Sequence, residues 1–281
     1  MDIPLVLIQP KDPAKREGAP TLYLMAGVDA GAGWLTEVNA IDFYGEKGVN
    51  VVMPMTGAYT YYADWLNPQN KPELANRKWE TFLTQELPGP LEGQLKASGK
   101  RGIMGISMSA TSTLFLPQHH PGLYDAVSSV SGCASTTSPM GNSAVSSALA
   151  RENTTPEDMW GDLKGDYAKY YDPFVNAAKL GQDYQGKDLA IYLSSRSGFA
   201  GANDLLGSHR VGQDAEISKN LVEVGGMIEV GSNLCTHAMA NRLDRLGVQN
   251  DAHFYPVGTH QWDYFRESIE DSWPTLQRGL F

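Results

Sequence analysis

Short β-rich runs recur along this chain at Leu5–Ile8, Thr21–Met25, Val49–Pro54, Gly102–Ile106, Ala126–Val130, Leu189–Ser194 and Asp251–Pro256. Most are separated by stretches long enough to hold a helix. A strand followed by a helix-length crossover comes back parallel to its predecessor. The alternation therefore predicts an α/β fold, a mostly parallel central sheet with helices on both faces. Thr81–Leu87 and Ala110–Leu116 read as two of those helices. A length of 281 residues would allow two domains, but one large α/β domain over 1–281 fits equally. Neither a repeat nor a linker breaks the rhythm.

One interval departs from it. Residues 138–186 are long, rich in Ser, Gly, Asn and Tyr, and lack a strand-like run. Structureless loops of that length are rare inside a domain, so the segment is expected to be an insertion of short helices. It follows the Ala126–Val130 strand. Loops at the carboxyl ends of such strands line the ligand crevice, so the insertion is expected to roof or wall a site.

The run Gly102-Ile-Met-Gly-Ile-Ser107-Met-Ser109 is an apolar strand entering a sharp turn with Ser107 at its apex. This is how a serine is lifted out of a sheet as a nucleophile, small residues on both sides allowing strand to turn into helix. Ser109 stands where the usual pattern has its second glycine. A helix beginning just after Ser107 would aim free N–H groups and its dipole at an oxyanion.

A serine hydroxyl needs a histidine to take its proton, and that histidine needs an acid to fix its tautomer. In the order Ser, acid, His the base follows the last strand, and His260 does so within Gly258-Thr-His-Gln-Trp262. The acid is open on pattern alone. Asp204 lies in the loop after the Leu189–Ser194 strand. Glu229 sits among Met227, Ile228 and Val230, where an unpaired carboxylate would be costly. Glu223 is a third choice. Oxyanion donors are expected from the Met108 amide and from Val28, in the glycine-containing loop Ala26-Gly-Val-Asp29 that follows an early strand.

Other classes are disfavoured. The net charge of −10 opposes nucleic acid or an anionic membrane surface as partner. No apolar stretch is long enough to span a bilayer, and no export signal is visible at Met1. Two cysteines, Cys133 and Cys235, suit either buried small hydrophobes or one bridge in an oxidising compartment. Neither they nor the histidines, the His119-His120 pair included, have metal-ligand spacing, so no metal and no cofactor are expected.

Taken together, Tyr23-Leu-Met-Ala-Gly27, Val51-Val-Met-Pro54, Ala63-Asp-Trp65, Lys78-Trp-Glu-Thr-Phe-Leu83, Gly105-Ile-Ser-Met-Ser109, Asp158-Met-Trp-Gly161 and Gly258-Thr-His-Gln-Trp262 resemble the mycolyltransferases in order and content. That family includes the antigen 85 complex and the corynebacterial enzymes. The resemblance runs from about Asp2 to the C-terminus. It implies an α/β-hydrolase fold and a Ser–Glu–His triad falling on Ser107, Glu229 and His260, which resolves the acid in favour of Glu229. It implies Val28 and Met108 as oxyanion donors. The implied reaction is transfer of a mycolyl or corynomycolyl chain from trehalose monomycolate to a second trehalose monomycolate or to arabinogalactan. Trp262 offers a ring face to a sugar, with packing in the core as its other reading. Asp29 is the second substrate-binding candidate. Mycobacterial members carry an acidic and a basic residue around the oxyanion-loop glycine, where Ala26 and Asp29 stand here, which points to the corynebacterial branch or another acceptor. Apolar side chains of Ser138–Trp160 are expected to cover the acyl chain. Family members are exported to the cell envelope, so a trimmed signal and a Cys133–Cys235 bridge are further implications. The rival readings are an esterase D type hydrolase and a non-catalytic wall-binding or host-binding protein.

Overall fold

The structure, a computed structural model, describes residues 2–66, 78–181 and 188–281. Its strands are β1 (Leu5–Ile8), β2 (Thr21–Met25), β3 (Asn50–Pro54), β4 (Arg101–Ile106), β5 (Ala126–Val130), β6 (Ala190–Arg196) and β7 (Asp251–Tyr255). They form one sheet in the order β1-β3-β2-β4-β5-β6-β7. Only β1 runs antiparallel to its neighbour, and every other pairing is parallel. The helices are α1 (Ala32–Thr36), α2 (Ala40–Gly45), α3 (Trp79–Thr81), α4 (Pro88–Leu95), α5 (Met108–His119), α6 (Pro139–Leu149), α7 (Pro156–Trp160), α8 (Asp166–Tyr170), α9 (Ala215–Asn220), α10 (Gly226–Arg245) and α11 (Trp262–Leu280).

Side chains of a strand alternate between faces, and a sheet covered on both sides buries both sets. Leu22 and Leu24 of β2 join one core cluster with Val51, Met53, Met104 and Ile106, packed under Phe265, Ile269 and Leu276 of α11. Tyr23 and Met25 point the other way, into a cluster with Val52, Ile103, Leu114 and Phe115 of α5 and Met239 and Leu243 of α10. The sequence expectation of helices on both faces is met.

Element bounds differ from the expected ones at several ends. The helix expected over Ala110–Leu116 runs from Met108 to His119. The one expected over Thr81–Leu87 starts at Trp79 and passes through a π-helical turn, Phe82–Glu86, into α4. Strand β6 continues to Arg196, held there by register with Tyr255. Residues 138–186 fold as short helices up to Gly181; the last five positions of that expectation lie outside the described residues.

Register decides where chemistry collects. Met25 is opposite Gly105, Ile106 opposite Val130, and Val130 opposite Ser194. The carboxyl ends of the central strands therefore share one edge. The residues immediately beyond them, Gly27, Ser107, Ser131 and the loop before α11, meet there.

Candidate active site

Ser107 occupies a backbone region that non-glycine residues seldom adopt, φ 54° and ψ −119°. The elbow is held from below. A Cβ at Gly105 would lie 2.6 Å from the Ser109 carbonyl oxygen, so the chain can double back only over a glycine. Ser109, in the place of the usual second glycine, uses its hydroxyl as a staple. It accepts the Ile106 N–H at 3.0 Å and lies 2.9 Å from the Met25 carbonyl, as donor, tying the elbow to the end of β2. This contact explains why a serine is accommodated there.

The hydroxyl of Ser107 lies 2.8 Å from His260 Nε2, and His260 Nδ1 lies 2.7 Å from Glu229 Oε2. Glu229 is fully buried. Its other oxygen, Oε1, accepts the Ser131 hydroxyl and the Arg196 backbone N–H, each at 2.7 Å. A carboxylate is stable in such a place only when its lone pairs are taken, and three donors take them. Ser131 reaches in from just beyond β5 with φ 52°, and Arg196 is the last residue of β6. Neither partner carried a sequence signal of its own, since a backbone amide has none and Ser131 looks like any loop serine.

Asp204 is also fully buried, but it does not contact the His260 ring. It accepts hydrogen bonds from Thr259, Gln261, Tyr264 and Gly201. Glu223 lies in a π-helical turn, Leu221–Gly225, ahead of α10. Of the sequence candidates for the acid, only Glu229 stands on the histidine.

The loop after β2 runs beside the nucleophile. A Cβ at Gly27 would lie 3.5 Å from that of Ser107, and the Tyr62 hydroxyl anchors the loop by accepting the Ala26 N–H at 3.1 Å. Val28 thus follows directly on the Ser107 contact. Met108 begins α5, where backbone N–H groups have no intrahelical acceptor.

Trp262 and Asp29 meet over Gly33 of α1. A Cβ there would strike the Trp262 ring at 2.0 Å and the Asp29 carboxylate at 2.7 Å. Trp262 is half-buried, edge-on to Trp34 at 5.9 Å and to Phe265 at 5.7 Å, so both of its sequence readings describe part of the ring. The Asp29 carboxyl is pushed above its ordinary pKa by burial, against hydrogen bonds from the Gly31 and Gly33 amides. Arg210 closes this side, pairing with Glu37 and with Asp263.

Most large apolar side chains of the insertion pack inward, while Met140 stays exposed. Val145, Leu149, Met159 and Trp160 are buried in the cluster that holds Met108, Leu114 and Phe115. They pack as core, because burial of a large ring such as Trp160 against Tyr61 and Tyr171 stabilises more than leaving it open. Cys133 and Cys235 are bonded, with Cα atoms 4.9 Å apart. The bridge fastens α10 close to Glu229 onto the loop that carries Ser131. Among the described residues no cluster has the makeup of a metal site, and no helix is long and apolar enough to cross a membrane.

Comparison with known proteins adds a family to this geometry. The Esterase family model matches residues 2–276. Diacylglycerol acyltransferase/mycolyltransferase Ag85A of Mycobacterium leprae is 31% identical over 273 residues, 93% of this chain and 76% of that protein. The Ag85B protein of Mycobacterium avium is 30% identical over 271 residues, 94% of this chain and 76% of that one. Among solved structures, Mycobacterium tuberculosis MPT51 (FbpC1) superposes with a TM-score of 0.76 at 21% identity, covering 100% of this chain and 94% of that one. An S-formylglutathione hydrolase from Agrobacterium tumefaciens gives 0.67 at 14% identity, covering 99% and 90%. These two likenesses show the α/β-hydrolase fold.

Proposed function

The chain belongs to the Esterase family and, within it, with the acyltransferase/mycolyltransferase proteins, and from that premise we propose how its residues divide the work. It is a serine-dependent acyltransferase of the mycolyltransferase type. The observation that carries the residue roles is the unbroken chain from the Ser107 hydroxyl through His260 to buried Glu229.

Ser107 Oγ attacks the ester carbonyl of an acylated sugar while its proton passes to His260 Nε2. Glu229 accepts the Nδ1–H, fixing the tautomer and stabilising the imidazolium that forms. The oxyanion takes hydrogen bonds from the Val28 and Met108 amides, with the α5 dipole adding to them. As the tetrahedral adduct collapses, His260 returns the proton to the departing sugar oxygen and the acyl chain remains on Ser107. A second sugar hydroxyl then gives its proton to His260 and takes the chain by the reverse path. Each step moves a proton and an acyl group, so the chemistry requires no cofactor.

The donor is trehalose monomycolate or its shorter corynomycolyl counterpart. The acceptor is a second such molecule, giving the dimycolate, or arabinogalactan. The pairing of Trp262 with Asp29 supports a sugar site, since a ring face and a carboxylate bind the apolar and hydroxyl faces of a pyranose. The Cys133–Cys235 bond supports work in an oxidising compartment, the cell envelope, where such glycolipids lie.

Thin-layer chromatography of products from trehalose monomycolate tests this directly. Wild-type protein should release trehalose and form dimycolate, and Ser107→Ala should form neither. Free acid without dimycolate would replace the transferase with a hydrolase. An unreactive wild type would favour a binding role.

A further inference from the structure

One carboxylate holds the residues on both sides of His260. Asp204 ends a short 3-10 turn, Ala202–Asp204, and is fully buried. Its Oδ1 accepts the Thr259 hydroxyl at 2.6 Å and the Gln261 amide at 3.3 Å. Its Oδ2 accepts the Tyr264 hydroxyl at 3.0 Å and the Gly201 N–H at 2.8 Å. Thr259 precedes the histidine, Gln261 follows it, and Tyr264 stands in the first turn of α11. Thr259 and Gln261 are themselves buried, so these hydrogen bonds are made out of reach of solvent. The third tie is the His260 N–H, which donates to the Gly225 carbonyl at 3.1 Å, just ahead of the helix that carries Glu229.

We propose that Asp204 is the positioning residue of the histidine loop, setting the His260 backbone so that the ring spans Ser107 and Glu229 at once. The inference rests on the triad reading given above. Four donors converge on this side chain, and only an ionised carboxylate accepts from all four. An asparagine keeps the acceptor that faces Thr259 but presents N–H groups toward the Gly201 N–H. Among the described residues Asp204 has no ion-pair partner. A buried charge held by hydrogen bonds alone is an expensive way to fill space. Here it fixes a loop whose displacement by about an ångström costs about 10²-fold in rate.

The experiment follows covalent labelling of Ser107 by a fluorophosphonate, which needs His260 but no sugar substrate, together with kcat and KM on p-nitrophenyl butyrate. Asp204→Ala should label about 10²-fold more slowly, with kcat reduced to match and KM within about threefold of wild type. Asp204→Asn should recover part of that loss, about tenfold below wild type. Thr259→Val removes one donor and leaves the charge three partners. It serves if Asp204→Ala does not fold, and it should slow labelling about fivefold. A folded Asp204→Ala that labels at the wild-type rate with only a lower melting temperature overturns the proposal, as does a normal rate in Thr259→Val. A wild type that fails to label overturns the nucleophile reading, and this one with it.

Discussion

A buried glutamate meets histidine at both ends of helix α5. At the N-terminal end Glu229 faces His260, which faces Ser107. At the C-terminal end Glu80 accepts from His119 at 3.0 Å, from His120 at 2.8 Å and from the Tyr171 hydroxyl. The composition is alike and the outcome is not. His119 spends its second nitrogen on the Tyr170 carbonyl, 2.7 Å away. Both of its nitrogens face acceptors, and neither can take a proton from a nucleophile. His260 keeps one nitrogen for a hydroxyl that has a proton to lose. That hydroxyl sits on a strained turn at the mouth of the sheet, whereas Glu80 ties α3 to α5 and α8. A carboxylate beside a histidine is a structural clamp until its far nitrogen meets a reactive group.

Removing that reactive group should have the largest effect. Ser107→Ala and His260→Ala should each lower kcat by at least about 10⁴-fold, with circular dichroism unchanged. A folded variant near the wild-type rate would break the contrast between the two ends. Glu229→Gln should cost about 10²–10⁴-fold in kcat, because the amide misorients the imidazole. Its loss of activity at an unchanged fold would separate it from Glu80.

The two ends also differ in how they are held. Only the Glu229 end is fastened by a disulfide, which closes a separation of 102 residues. Replacing Cys133 and Cys235 by serine should destabilise the protein by about 4 kcal/mol, read from denaturant unfolding. Activity should fall with it, since the same bridge holds the helix bearing Glu229.

Glu80→Gln should cost about 3 kcal/mol by leaving buried donors unmatched, while kcat stays within about twofold at a temperature where the variant is folded. Burial pushes the Glu80 carboxyl up, but hydrogen bonds from His119, His120 and Tyr171 outweigh it and hold the pKa at about 2. That is below the ordinary value of about 4.3, so the ionised form stabilises the fold. The contribution is complete above the unfolded-state value and disappears as pH falls from about 4.3 toward 2. The melting-temperature gap between wild type and Glu80→Gln should therefore shrink over that window. A gap that stayed constant would make the cluster a packing feature rather than an electrostatic one.

The smallest effect belongs to the rim. Trp262→Ala should raise KM for the sugar-bearing substrate about tenfold with little change in labelling of Ser107. Equal changes in both would make the ring a support for His260 instead of a sugar platform.

Local chemistry written into the chain was legible before folding. Short, near-continuous apolar runs separated by helix-length gaps made the sheet legible, because strands buried on both faces need apolar residues at successive positions. Gly105 and Ser107 announced the elbow, since few residues tolerate that backbone. His260 followed from its place after the last strand. What depended on distant parts meeting was not legible. Glu229 and Asp204 read almost alike as sequence, and only resemblance to a family separated them. In the fold both are buried, one on the histidine ring and the other on its backbone neighbours, a difference made by the register that brings Ser131 and Arg196 under Glu229. The insertion read as helical, yet which of its apolar side chains turned inward was set by the cluster they share with Leu114 and Phe115 of α5 and Met239 and Leu243 of α10. Sequence determines which residues are able to do chemistry and which segments must be buried. Tertiary structure alone decides which buried groups touch, because hydrogen bonds act over about 3 Å between residues far apart along the chain.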